Sequence, residues 1–160
     1  MAVSVRLARA SDAGDVAHLT AQLGYDVETS VLRARLSRIL ERPDQRFLIA
    51  EGDARPVGWL HAAVWEYVEA DAFVVIGGLV VDRAHRRQGI GRVLMEDAER
   101  WALQHGCSVV RLWSSAGRIH AHQFYERLGY TKIKTQYSFA KLLTPEGREG
   151  LKGFVPRIED

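Results

Sequence analysis

The chain has 160 residues, of which 47% are hydrophobic and 26% charged, and its formal net charge is +2. This length is typical of a single domain, and this composition excludes a mainly disordered chain. No apolar run approaches the roughly 20 residues that a membrane-spanning helix needs, and no secretory signal pattern opens the sequence. The one cysteine, Cys107, cannot form an internal disulfide, which is typical of a reducing cytoplasm. We therefore expect one compact cytoplasmic domain.

The first part of the chain predicts one strand, two helices and three strands. Apolar and polar residues alternate over Val3–Leu7, which is the period of a half-buried strand. Capping side chains at Ser11-Asp12 precede a first helix, and a second helix begins near Thr29 and ends at Pro43. The three strands that follow are predicted at Phe47–Glu51, Val57–Glu66 and Phe73–Val81.

Gly77 and Gly78 interrupt the last of these strands, whose other residues are apolar. Glycines inside a strand indicate a β-bulge or a close approach by another backbone or by a ligand. We expect this strand to lie at the centre of the sheet, with an irregularity at the glycine pair.

The second part of the chain predicts two helices and three more strands. Apolar residues recur at helical spacing from Ile90 to His105, and Gly106 suits the position just after a helix end. The remaining elements are predicted as a strand at Cys107–Trp113, a helix at Ile119–Leu128, and strands at Tyr130–Lys134 and Tyr137–Leu142.

The predicted order is therefore β-α-α-β-β-β-α-β-α-β-β. It indicates an α/β fold whose mixed, mostly antiparallel central sheet has about seven strands, with about four helices. The parallel pairing is expected between the strand that ends at Asp82 and the strand that begins near Cys107. Residues 144–160 are rich in glycine and proline, which predicts a short appendage to the domain formed by residues 1–143.

A cluster of basic residues surrounds two glycines between a buried strand and an amphipathic helix. No carboxylate interrupts the cluster, which contains Arg83, His85, Arg86, Arg87 and Arg92 around Gly89 and Gly91. Backbone N–H groups and the helix dipole can converge on an anion at such a helix start. Side chains in place of the glycines would hold a pyrophosphate away from those amides. The segment Arg86–Gly91 is therefore predicted to bind phosphate.

Other phosphate-binding patterns are weaker. The P-loop pattern, with its lysine, occurs nowhere in the chain. The pair Gly89 and Gly91 resembles the start of a dinucleotide fingerprint, but Leu94 occupies the third position that needs a small residue. The remaining structural alternative is a basic turn that caps the helix with solvated arginines.

The segment from Val80 to Gly91 resembles the pyrophosphate-binding signature of the GNAT superfamily of acetyl-CoA-dependent N-acetyltransferases, Gln/Arg-x-x-Gly-x-Gly/Ala after the fourth strand. A second, independent segment, Ala121–Tyr130, resembles the later helix of that family, with its aromatic-Tyr pair and Gly-Tyr end. The resemblance covers Val3 to Leu143. It implies the acyl-CoA N-acyltransferase fold, in which the sheet splays between strands 4 and 5.

The resemblance also implies which residues bind acetyl-CoA. Pantetheine would lie along the fourth strand at Leu79, Val80 and Val81, where a backbone amide contacts the thioester carbonyl. The other cofactor-binding residues that it implies are Arg86, Arg87, Gln88, Gly89, Ile90, Gly91, Arg92, Arg118, Ala121 and Phe124. Arg118 stands where the family often has an asparagine, so the resemblance does not specify which part of acetyl-CoA Arg118 contacts.

Tyr125 matches the tyrosine that the family commonly uses as general acid toward the coenzyme A sulfur. A phenol with a reference pKa of about 10 is protonated at neutral pH and can donate to a developing thiolate. The alternative for Tyr125 is a packing aromatic or a tyrosine that only hydrogen-bonds the ligand.

The general base is not identified by the sequence. Many relatives carry a glutamate just before the position of Leu79, whereas this chain has Gly77 and Gly78. The candidates for a base that acts directly or through water are Glu66, Glu69, Asp71 and His61.

We therefore expect a cytoplasmic N-acetyltransferase that moves acetyl from acetyl-CoA to a primary amine of a small molecule, peptide or protein. Direct attack in a ternary complex is favoured, because no base is identifiable beside Cys107 for a covalent intermediate. The alternative is an acyl-CoA-binding sensor or regulatory module. No nucleic-acid partner is expected, since the basic residues concentrate in one loop. No metal or membrane partner is expected either, and a homodimer stays an open alternative.

Overall fold

The computed structural model describes residues 2–151 of the chain. They fall into two compact units, one that ends at Trp113 and one that begins at Ser114. Within the described residues no helix has both the length and the apolar character needed to cross a membrane.

The first unit contains a sheet and three α-helices. Its strands are β1 (Val3–Leu7), β2 (Gln45–Gly52), β3 (Arg55–Tyr67), β4 (Ala70–Val81) and β5 (Val110–Leu112), and its helices are α1 (Ala13–Ala21), α2 (Thr29–Leu40) and α3 (Ile90–Gln104). Short 3-10 turns precede α1 at Ala10–Asp12 and follow β4 at Arg83–His85. The second unit contains α4 (Ile119–Arg127) and α5 (Gly147–Leu151).

The sheet is mixed and mostly antiparallel, as predicted. Its strand order is β1-β2-β3-β4-β5, with antiparallel pairs except between β4 and β5. The parallel pairing joins Val74–Ile76 to Val110–Leu112. Beyond Ile76, β4 continues to Val81 without a paired β5 residue. One backbone edge of Gly77–Val81 therefore has no strand beside it in the described part of the chain.

The prediction of seven strands is wrong, because residues 2–151 contain five strands and five α-helices. The predicted strands at Tyr130–Lys134 and Tyr137–Leu142 are irregular. Most of their apolar side chains stay in solvent, with Tyr137 89% and Phe139 92% exposed. A strand needs a ladder partner and a buried face, and neither is present along this segment of the described chain.

The sheet carries helices on both faces. On one face α1 and α2 pack on the strands through a buried cluster that includes Val16, Leu19, Leu36, Phe47, Trp59 and Val80. On the other face, a Cβ at Gly58 would lie 3.3 Å from Cγ2 of Ile90 and 3.5 Å from Cδ1 of Leu94 in α3. Successive strand residues face opposite ways, so Gly58 faces α3 and Trp59 faces α1 and α2. This arrangement places the start of α3 beside the end of β4.

An ion-paired aspartate ties β1 to the turn before α1. The Arg6 guanidinium donates two hydrogen bonds of 2.8 Å to the Asp12 carboxylate, and the Arg9 backbone N–H donates a third of 2.6 Å. Arg6 also lies 2.8 Å from Glu51 on β2. The hydrogen bonds from Arg6 hold the pKa of Asp12 below its ordinary value. Because Asp12 is 6% exposed, the carboxylate depends on these partners rather than on water.

We expect Asp12→Ala to lower the free energy of unfolding by roughly 1–3 kcal/mol, since it removes three bonds to one carboxylate. A carboxyl pKa that is lower in the folded state adds stability above the unfolded value of about 3.9, and this stability is lost as pH falls through the folded pKa. Urea denaturation at pH 7 and at pH 3 measures both effects. The control is Asp44→Ala, which removes the exposed pair with Arg42 and should change little. Equal losses at both pH values would contradict the assignment.

Candidate active site

The loop before α3 has the backbone that an anion site needs. Gly89 is the N-cap of α3, with φ of 80° and ψ of 0° in the left-handed region, and no side chain caps the helix. Its carbonyl accepts from Val93 N–H at 3.1 Å, so the helix is regular from its first turn. A Cβ at Gly89 would meet no atom within 4 Å. The space beside Gly89 at the start of α3 is therefore open, and the first N–H groups of a helix are those that bind phosphate.

The basic side chains around this loop do not all face solvent as free charges. The Arg83 guanidinium donates to the Gln22 carbonyl at 3.1 Å, and the Arg83 backbone N–H donates to the Gln22 side chain at 2.9 Å. His85 Nδ1 lies 3.3 Å from Asp82 Oδ2. Arg86, Arg87 and Arg92 are exposed. Arg86 Nε lies 3.4 Å from the Val81 carbonyl oxygen and Arg92 lies 4.0 Å from Glu96, so these two exposed side chains, together with Arg87, form the cationic rim that a ligand can reach.

Two polar residues fix the loop, and the sequence motifs do not indicate this role for them. Asp82 accepts the Ala84 N–H at 3.0 Å and so caps the 3-10 turn after β4. The amide of Gln22, at the end of α1, lies 3.4 Å from Asp82 and binds the Arg83 backbone. Gln22 is 60 positions from Asp82 in the sequence, so no local pattern predicts the contact between them. Both residues position the loop without touching its glycines.

The glycine pair on β4 forms the predicted bulge. Ala62 pairs with Ile76 and His61 with Gly78, so Gly77 is the extra residue. A Cβ at Gly78 would lie 2.7 Å from Cη2 and Cζ3 of Trp59, and a Cβ at Gly77 would lie 3.3 Å from Nδ1 of His61. The Trp59 ring therefore fills the space that a side chain at Gly78 would need.

The next three residues of β4 are those predicted to lie along pantetheine. They pair with β3 on one side, in the order Leu79↔Leu60, Val80↔Trp59 and Val81↔Gly58. The side chain of Val80 is 2% exposed and belongs to the core under α1 and α2. The opposite backbone edge has no paired strand in the described residues. An extended ligand can add to such an edge through backbone hydrogen bonds.

The four candidate bases lie in two places. His61 is on β3 at the bulge, and its Nε2 lies 2.7 Å from Oε1 of Gln45 on β2. Glu66, Glu69 and Asp71 are exposed near the turn between β3 and β4. At roughly 3.3 Å per residue, Glu66 stands about 16 Å and Asp71 about 20 Å along the strands from the bulge, and Glu69 lies farther away in the turn. The structure therefore separates the imidazole from the three carboxylates.

The later helix carries the remaining candidate residues, in the second unit. Arg118 is the N-cap residue of α4 and is exposed, and Ala121 and Phe124 are half-buried. The Tyr125 ring meets Phe124 at 5.1 Å and Tyr130 at 6.0 Å between ring centroids. Burial raises the pKa of Tyr125, and the Arg118 charge opposes this only in part. The phenol is therefore protonated at neutral pH.

Among residues 2–151, no three His, Cys, Asp or Glu side chains come together as potential metal ligands. Cys107 is buried, and burial raises the pKa of its thiol. A thiol with a raised pKa is a poor nucleophile at neutral pH.

Comparison with known proteins gives consistent results. Residues 16–130 match the Acetyltransferase (GNAT) family. Aminoglycoside N(6′)-acetyltransferase type 1 of Acinetobacter haemolyticus is 26% identical over 143 residues, which cover 87% of this chain and 98% of that protein.

Two solved structures share the fold. One is a transcriptional regulator from Bacillus halodurans, with a TM-score of 0.79 and 24% identity, over 88% of this chain and 100% of that one. The other is AAC(6′)-Iy in complex with the bisubstrate analog CoA-S-monomethyl-acetylneamine, with a TM-score of 0.80 and 19% identity, over 89% and 99% of the two chains. The family match covers more than half of the sequence, and the resemblance of the two motifs is thereby confirmed. The protein belongs to the GNAT acetyltransferase family.

Proposed function

We propose that this protein transfers an acetyl group from acetyl-CoA to a primary amine by direct attack in a ternary complex. The observation that carries the proposal is the continuity between two features of the first unit. The free backbone edge of Gly77–Val81 leads, through the turn at Arg83–His85, to the uncapped start of α3. An extended pantetheine followed by a pyrophosphate requires such a strand edge and such a helix start in this order.

The proposed ligand-binding residues would contact different parts of acetyl-CoA. The N–H groups at Gly89, Ile90 and Gly91 would hold the pyrophosphate, with Gln88 beside them. The side chains of Arg86, Arg87 and Arg92 would add charge from the exposed rim. Leu79, Val80 and Val81 would bind pantetheine through the backbone edge of β4. From the second unit, Arg118, Ala121 and Phe124 are proposed to contact the same ligand.

The transfer requires three events at the thioester. The amine nitrogen forms a bond to the carbonyl carbon, the carbon–sulfur bond breaks, and one proton leaves the nitrogen while the departing thiolate gains one. A β4 backbone amide near the bulge is proposed to polarise the carbonyl oxygen. Tyr125 is proposed to donate the proton to the thiolate, since its phenol stays protonated at neutral pH.

For the acceptor we propose an amino sugar with several cationic amines. Trp65, Tyr67 and Trp113 form an exposed aromatic patch, with 5.6 Å between the centroids of Trp65 and Trp113. Exposed Glu66 and Glu69 lie next to this patch in the sequence. Aromatic faces pack on sugar rings and carboxylates attract ammonium groups. The relative from Acinetobacter haemolyticus, which is named an aminoglycoside N(6′)-acetyltransferase, supports the same class of acceptor.

The test is release of free thiol from acetyl-CoA in the presence of a panel of amines: an aminoglycoside, a polyamine and a lysine-containing peptide. We expect turnover that depends on the amine and is highest with the aminoglycoside. Turnover only with the polyamine or the peptide would overturn the acceptor class but retain the reaction.

A second candidate function is an acyl-CoA-binding regulatory module. A transcriptional regulator shares the fold, and the bulge at Gly77 and Gly78 carries no carboxylate. This function predicts tight binding of acetyl-CoA with no thiol release on any amine, so the same assay separates the two functions.

A further inference from the structure

We propose that His61 is the general base of the acetyl transfer, and that its Nδ1 accepts the proton that the acceptor amine loses. The inference rests on the proposed function and assigns a residue to its proton-accepting step. In this step the nitrogen–carbon bond forms, the amine proton passes to Nδ1, and the carbon–sulfur bond breaks as the thiolate takes a proton from Tyr125. The imidazolium then returns its proton to solvent, and the Tyr125 phenolate takes one proton from solvent.

The position of His61 on the sheet carries the first part of the argument. Across the β3–β4 ladder His61 pairs with Gly78. The bulge at Gly77 and Gly78 is where the segment of β4 without a paired β5 residue begins. Nδ1 stands 3.3 Å from the point where a Cβ of Gly77 would lie. Within the runs Val57–Trp65 and Phe73–Val81, His61 is the one side chain that can titrate in the neutral range. It therefore supplies the functional group that β4 lacks at the bulge.

The hydrogen bond of the other ring nitrogen determines the state of Nδ1. Nε2 lies 2.7 Å from the Gln45 amide oxygen, and an amide oxygen only accepts, so Nε2 carries the hydrogen. Nδ1 therefore holds a free lone pair. Among the described residues Nδ1 has no hydrogen-bond partner. It is also absent from the side-chain atoms that are completely buried without a partner, so it is not completely buried. This is the tautomer of a general base, with the reactive nitrogen directed at the bulge.

Packing fixes the ring in that direction and keeps it neutral. The imidazole stacks on Phe47 with 5.6 Å between ring centroids and 26° between ring planes. Burial lowers the pKa of His61 below its ordinary value. The groups that contact the ring from β2 are Gln45 and Phe47, and those opposite it on β4 are Gly77 and Gly78. None of these four titrates, so the ring stays unprotonated and able to accept a proton at neutral pH.

The decisive variants are His61→Ala and His61→Gln in the full chain, compared with His105→Gln. His105 is an exposed histidine at the end of α3, where its ring contacts Trp101. We expect both His61 variants to lower kcat by 10²- to 10³-fold and to bind acetyl-CoA within about threefold of the unchanged protein. The His105 variant should keep the kcat of the unchanged protein.

Two further measurements separate a base from a structural residue. The kcat of the unchanged protein should fall at pH values below the lowered pKa of His61, and this acidic limb should disappear in the His61 variants. Added imidazole should restore part of the kcat of His61→Ala and should leave the kcat of His105→Gln unchanged. A third variant, Gln45→Leu, removes the partner of Nε2 and should lower kcat by about tenfold while the site keeps its acidic limb.

The outcomes distinguish this inference from the proposed function. Thiol release by the unchanged protein together with full kcat and an unchanged pH profile in His61→Gln would overturn the base and leave the acetyltransferase standing. Absence of thiol release by the unchanged protein on every amine would overturn both. If the His61 variants fail to fold, an unchanged kcat in Gln45→Leu would overturn the assignment.

Discussion

Replacing Gly89 with valine is expected to weaken coenzyme A binding on the order of a hundredfold or more, because two effects add. Gly89 has φ of 80°, and a β-branched residue adopts this left-handed conformation only with strain of roughly 1–2 kcal/mol, so the loop backbone shifts to relieve the strain and moves the N–H groups proposed to hold the pyrophosphate. The new side chain would also occupy the open space beside Gly89 at the start of α3. A factor of ten corresponds to about 1.4 kcal/mol. Titration calorimetry with coenzyme A measures the change directly.

The control is Gly106→Val at the opposite end of the same helix. Gly106 also has a positive φ, of 73°, and its Cβ would also meet no atom within 4 Å. This variant therefore shares the strain but leaves the loop unchanged. We expect comparable losses of thermal stability from both variants and a loss of coenzyme A affinity from Gly89→Val only. Equal affinity in the two variants would remove the loop from the binding site.

Replacing Tyr125 with phenylalanine is expected to lower kcat about 10²-fold with acetyl-CoA affinity changed by only a few fold. Burial raises the pKa of Tyr125, so the phenol keeps its proton across the neutral range and can donate it to the departing thiolate. Because loss of that proton occurs only above the raised pKa, activity should fall on the alkaline side there, and this limb should vanish in the variant. Steady-state kinetics between pH 6 and 11 with the best acceptor amine provides the measurement.

The control for Tyr125 is Tyr137→Phe, since Tyr137 is 89% exposed and lies in the same unit. It removes one phenol from the second unit without reaching a buried ring. Its kcat should equal that of the unchanged protein. A Tyr125→Phe variant with full kcat would show that the phenol only packs or binds, and the thiolate would then take its proton from solvent.

Much of the fold follows from local patterns in the sequence. Alternation predicted β1 at its observed bounds, and the glycine pair predicted the bulge in β4. The helical spacing after Ile90 predicted α3, with Gly106 in the left-handed conformation after its end. In α3 the local pattern and the packing agree, because the helix buries the face that its periodicity defines.

The errors come from features that local patterns do not contain. Residues 130–142 alternate like a strand, but alternation does not show whether a ladder partner exists. The strand predicted at Cys107–Trp113 is ordered as β5 only over Val110–Leu112, because only these residues pair with β4. The short helix α5 lies in a segment whose glycines and proline predicted turns.

For the candidate site, the sequence identifies the loop but not its support. The glycines and arginines of the loop are consecutive, so their spacing is visible in one segment. The partners Gln22 and Gln45 come from distant elements, and only the fold brings them to Arg83 and His61. Likewise the four candidate bases were equivalent in sequence, and the β3–β4 register alone places His61 at the bulge.

The transfer itself is tested most directly with acetyl-CoA labelled in its acetyl group. The protein, the labelled acetyl-CoA and an aminoglycoside are incubated together, and the label is then located by mass spectrometry. The account predicts that the label moves to an amine nitrogen of the aminoglycoside, with one free coenzyme A formed for each amide. Label that stays in acetyl-CoA, or that is recovered as free acetate in the same amount with and without the amine, would contradict it.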